Sequence, residues 1–80
     1  MAQSERTFVF SRRTVSPHNV EREQLMQSLA HTRLLINQAY SGFNSARDEE
    51  LIESFVFEIN ALQSRYSYLL RRIKELEASV

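Results

Sequence analysis

Residues 50–80 read ELIESFVFEINALQSRYSYLLRRIKELEASV. Within this stretch Ile52, Phe55, Ile59, Leu62, Tyr66, Leu69, Ile73, Leu76 and Val80 follow one another at alternating spacings of three and four. That period keeps one face of an α-helix apolar over four heptads, so the segment reads as a coiled-coil-like strip. Ile52, Ile59, Tyr66, Ile73 and Val80 hold one core position. Phe55, Leu62, Leu69 and Leu76 hold the other. Leu51, Val56 and Leu70 widen the strip on its flanks. The charges agree with the helix dipole: Asp48, Glu49, Glu50 and Glu53 come first, and Arg71, Arg72 and Lys74 come late. One helix over about 46–78 is expected, roughly 50 Å long at 1.5 Å per residue.

A second strip lies upstream. Leu25, Met26, Leu29, Ile36, Ala39, Tyr40 and Phe43 recur at helical spacing, with Leu29, Ile36 and Phe43 seven apart. Ser16-Pro17 suits the start of this helix, because serine caps free N–H groups and proline has none to lose in the first turn. Gly42 and Asn44 suit its end, so helix one is expected over about 17–43. Ser45-Ala46-Arg47-Asp48 reads as a capping box, with Ser45 as N-cap. A connection of two or three residues forces the helices antiparallel. Phe43 should then face the region of Ile52, Ile36 that of Ile59, and Leu29 that of Tyr66. The longer second helix should overhang or meet the segment before Ser16.

The expected fold is therefore all-α: an antiparallel two-helix hairpin over 16–80 with a heptad seam. Residues 1–15 lack a helical repeat and read as a flexible arm, with Arg6, Arg12 and Arg13 around the apolar Phe8-Val9-Phe10. The single Gly and single Pro in 80 residues argue against a turn-rich β-fold.

Composition narrows the function. Ten basic and ten acidic residues cancel, so the broad positive field of a phosphate-backbone binder is missing. No apolar run approaches the ~20 residues of a membrane span. With no Cys, disulfides and thiolate metal sites are ruled out, which fits a cytoplasmic location. His18 and His31 have no partner at metal-binding spacing, and inward-facing Glu-x-x-His pairs are lacking. Glu53 and Glu58 lie off the strip and read as solvated. No catalytic, cofactor or metal residue is expected, and the chain reads as a non-enzyme.

Two features are left over. Arg71-Arg72-x-Lys74 is a small basic patch, but Glu75 follows Arg71 by one turn and can neutralise it. The other is the line Phe57, Ala61, Ser64 and Tyr68, which runs opposite the heptad strip with two aromatics bracketing two small residues. Leu34 on helix one is likewise turned from its own strip. Phe57, Ala61, Ser64, Arg65, Tyr68 and Leu34 are the candidate partner-interface residues. A hairpin this small is short of core and has no covalent or metal staple. We therefore expect a homodimer forming a helical bundle, or docking on another protein. The alternative is a small nucleic-acid-associated regulator using the arm and Arg71, Arg72 and Lys74.

The run Glu58-Ile59-Asn60-Ala61, then Arg65-Tyr66, Tyr68-Leu69-Leu70 and Lys74, with Glu50-Leu51-Ile52, Ala39 and Phe43 upstream, resembles the YaaL family of short proteins from spore-forming and related Gram-positive bacteria. The resemblance covers roughly residues 30–75. It rests partly on Asn60, Arg65 and Tyr68, which the heptad does not require. Phe57 departs from the tyrosine usual in that family. The resemblance implies a bacterial cytoplasmic protein and brings no substrate, cofactor or catalytic residue with it.

Overall fold

A computed structural model describes residues 16–79. The expectations for the arm and for Val80 lie outside these residues. Two helices form, α1 over Pro17–Ser45 and α2 over Glu49–Ala78. They pack antiparallel along their whole length, and no strand occurs among the described residues.

The start of α1 follows the sequence reading. The Ser16 hydroxyl accepts from the Asn19 N–H at 3.1 Å, and Pro17 occupies the first turn. The junction corrects it. Helix α1 runs through Gly42 and Asn44 to Ser45, and no described residue adopts a positive φ. Ala46 leaves the helix in extended conformation while its N–H still donates to the Gly42 carbonyl at 2.9 Å. The N-cap of α2 is Asp48, not Ser45. Its carboxylate accepts from the N–H groups of Glu50 and Leu51 at 2.8 and 3.2 Å. The physical reason is reach: a capping box wants Glu or Gln at its third position, and the shorter Asp48 caps better than it reaches back. Glu49 and Glu50 then occupy the first turn of α2, where the dipole favours them.

The seam is the heptad strip. Ile59, Leu62, Leu69 and Ile73 are buried, and Ile52, Phe55, Tyr66 and Leu76 are half-buried. Two clusters result. Leu29 joins Leu69 and Ile73 near the chain ends. Ala39 joins Ile59 and Leu62 towards the turn, with Leu35, Ile36, Phe43 and Phe55 packed around them. The helices differ in what they supply. The most buried residues of α1 are small, Thr32 at 2% and Ala39 at 3% exposed. The bulk comes from α2. Burying Thr32 is inexpensive because its hydroxyl donates to the Ser28 carbonyl at 2.7 Å, one turn back.

The helices are almost equal, 29 and 30 residues, so α2 does not overhang. At the chain-end pole its last turn meets the first turn of α1. His18 Nε2 donates to the Leu76 carbonyl at 2.7 Å. Arg22 donates twice to one Glu77 oxygen, at 2.9 and 3.2 Å.

Candidate interaction surfaces

Both histidines are accounted for structurally. His18 closes the carbonyl end of α2, and His31 is exposed. No group of three or more potential metal ligands forms among the described residues.

The basic patch is largely spent within the chain. Arg72 reaches Glu21 across the seam at 2.6 Å and Glu75 on its own helix at 2.9 Å. Arg71 pairs with Glu75 at 3.2 Å. The hydrogen bond from Arg72, then the one from Arg71, holds the Glu75 carboxyl below the usual carboxylate range. The Glu75 hydrogen bond in turn leads the forces that raise the Arg72 guanidinium, against a smaller effect of burial. Two of the three cations proposed for phosphate contact thus face carboxylates.

Phe57, Ala61, Ser64, Arg65 and Tyr68 all lie exposed along α2, with Phe57 the most exposed large apolar side chain among the described residues at 65%. The Arg71 guanidinium covers the Tyr68 ring, 5.4 Å from its centroid. Leu34 does not join them. It lies two residues, about 200° around the helix, from buried Thr32. Phe57 stands two residues from buried Ile59. The two therefore project from opposite backs of the hairpin. Arg65 and Tyr68 do share a shallow groove with α1, but its α1 wall is polar, including Gln27 and His31.

The opposite side of the seam carries Val56 and Leu70, which the sequence places on the flanks of the strip. Here Gln63 Nε2 donates to Tyr40 Oη at 3.1 Å. Arg33 donates to Tyr66 Oη at 3.3 Å and stacks 6.0 Å from that ring's centroid. These bonds bridge the two helices. Met26 lies seven residues before Arg33, and Tyr40 seven after. Val56 and Leu70 flank Gln63 by seven on α2. Seven residues nearly complete two turns, so each trio forms a row on the same side. Met26, Tyr40 and Val56 are 40–43% exposed, and Leu70 packs at the rim of the Leu29 cluster. The signal in the sequence was this seven-residue spacing, obscured by the polar Arg33 and Gln63 at the centre of each row.

Neither the curated proteins nor the solved structures contain a match to this chain. A family model described as "Protein of unknown function (DUF2508)" matches residues 8–80. The chain belongs to that family. No described helix is long and apolar enough to cross a membrane.

Proposed function

We propose that this chain is a non-enzymatic association module that pairs with a second copy of itself, with docking on another protein as the wider form of the same activity. One observation carries the reading. Six apolar side chains are buried among the described residues, while eight large hydrophobic ones are at least 40% exposed. A two-layer hairpin buries one side of each helix and leaves the flanks wet. Domains this small normally add a staple or a partner, and disulfides are ruled out because the chain has no Cys.

The YaaL-like identity, a bacterial origin and a cytoplasmic location belong to the same reading. They rest on the residues of the resemblance and on the lack of Cys. The nucleic-acid alternative draws less support, since Arg71 and Arg72 already pair with Glu75 and Glu21. Sedimentation across a dilution series tests the proposal. The mass should rise towards that of a dimer with concentration, and a monomer persisting at high micromolar concentration refutes self-association.

A further inference from the structure

We infer that the second copy docks on the face formed by Met26, Arg33 and Tyr40 of α1 with Val56, Gln63 and Leu70 of α2, making a four-helix bundle in which each α1 lies on the α2 of the other copy. This deepens the association reading and rests on it.

The face is set by continuity with the seam. Its two rows flank the buried strip on one side; the Tyr40–Gln63 bond ties one row to the other, and Arg33 reaches Tyr66 of the strip itself. Four apolar side chains, Met26, Tyr40, Val56 and Leu70, thus widen the strip on two adjacent helices around a polar centre of Arg33 and Gln63, and a widened strip is what a bundle helix presents to two neighbours rather than one. The other surfaces offer less. The groove side is walled on α1 by Gln27 and His31, and the Phe57–Tyr68 line belongs to one helix alone. The size also fits. A hairpin of two ~10 Å-wide helices about 43 Å long offers roughly 800 Å² per copy, the share of a standard stable interface.

Self-complementarity points to a second copy and to its orientation. A two-fold axis parallel to the helices sets α1 over α2 with residues at matching heights. Met26 then meets Leu70 of the second copy, Tyr40 meets Val56, and Arg33 meets Gln63, whose amide oxygen can accept from the guanidinium while its Nε2 donates to Tyr40 of its own chain. At the chain-end pole Arg22 of each copy approaches Glu77 of the other, so an ion pair already present within the chain becomes a four-charge network. An axis crossing the helices at full overlap instead sets Arg33 against Arg33.

The test compares three chains by sedimentation, with circular dichroism as the check on folding: wild type, Met26→Glu/Val56→Glu, and Phe57→Glu/Ala61→Glu. Met26 and Val56 are each 40% exposed in the single chain, so glutamate there leaves the hairpin helical. Unpaired charges buried between copies should weaken association at least about 100-fold, while the Phe57→Glu/Ala61→Glu chain stays dimeric. Dissociation of the latter chain alone overturns this face and leaves self-association standing. A monomeric wild type overturns both. Should Met26→Glu/Val56→Glu lose helicity, cysteines decide: a Met26→Cys chain mixed with a Leu70→Cys chain should form a cross-chain disulfide on mild oxidation. A dimer that gives no such link refutes the arrangement.

Discussion

The ring of Phe55 fills the space that a side chain at position 42 would need. A Cβ placed on Gly42 would stand 2.5 Å from Phe55 Cε1. Gly42 sits inside α1 with ordinary helical backbone, so it is kept for room and not for torsional freedom. Replacing glycine by alanine inside a helix normally gains about 0.8–1.0 kcal/mol. Gly42→Ala should forfeit that gain and melt at or below the wild-type temperature. In a Phe55→Leu background the same change should recover most of it. A double-mutant cycle by thermal melt checks this, and additive effects would show that the two positions do not touch.

Leu62 and Thr32 are both buried but should respond in opposite directions. Leu62→Ala removes a core side chain and should cost roughly 2–5 kcal/mol, enough to unfold most of so small a domain. Thr32→Val exchanges a hydroxyl for a methyl in the same space. The Ser28 carbonyl keeps its backbone partner in the helix, so no buried acceptor is orphaned and the new methyl adds apolar burial. Stability should rise by up to about 1 kcal/mol. Urea melts read both, and a destabilised Thr32→Val would mean that the hydroxyl has a further role.

The seam was legible because α2 repeats its heptad from Ile52 to Leu76 without interruption; all eight of those residues are buried or half-buried. Register was less legible. Heptads fix which face is inside and place Leu29 only in the region of Tyr66; within it Leu29 packs on Leu69 and Ile73, with Tyr66 against the same cluster. Thr32 is not legible as a core residue, because hydropathy scores its hydroxyl and cannot see the Ser28 carbonyl that satisfies it. Asp48 and Ser45 are both good caps, and composition does not rank them. Of the candidate interface residues, Phe57 to Tyr68 share one line on α2 and Leu34 is turned from the strip of α1, as their helix wheels imply; that the two lie on opposite backs of the hairpin was not legible, because wheels of separate helices carry no information on their relative placement.

Glu75 makes stability depend on pH in a definite direction. Its folded pKa lies below the ordinary carboxylate value because Arg72 and Arg71 hydrogen-bond the charged form. A carboxylate depressed on folding adds stability above its unfolded pKa and loses it as pH falls through the folded value. The melting difference between wild type and Glu75→Gln should thus be full near neutrality, shrink below about pH 4 and vanish in stronger acid. Salt should narrow it as well, since the ion pairs are solvent-exposed. Melts of both chains over a pH series check the trend, and a difference that grows in acid would reverse the assignment.

His18 fastens the chain-end pole through the Leu76 carbonyl. His18→Ala removes that donor and should lower stability by about 0.5–1.5 kcal/mol. The loss should be local: amide exchange should quicken in the last turn of α2 and the first turn of α1, and remain unchanged around Ala39 and Ile59. Uniform acceleration along both helices would show that the pole does not open separately.

The three-residue connection Ala46-Arg47-Asp48 puts Ser16 and Ser79 at the same pole. Tension applied through these two points pulls the helices apart as a zipper opens, loading one rung at a time, and does not shear them past each other. His18–Leu76 parts first and Gly42–Phe55 last. Refolding runs the other way, because the contact beside the turn closes the shortest loop and each later rung inherits the loop already closed. The hairpin is therefore mechanically soft when held by its two ends, however firmly its flanks are gripped.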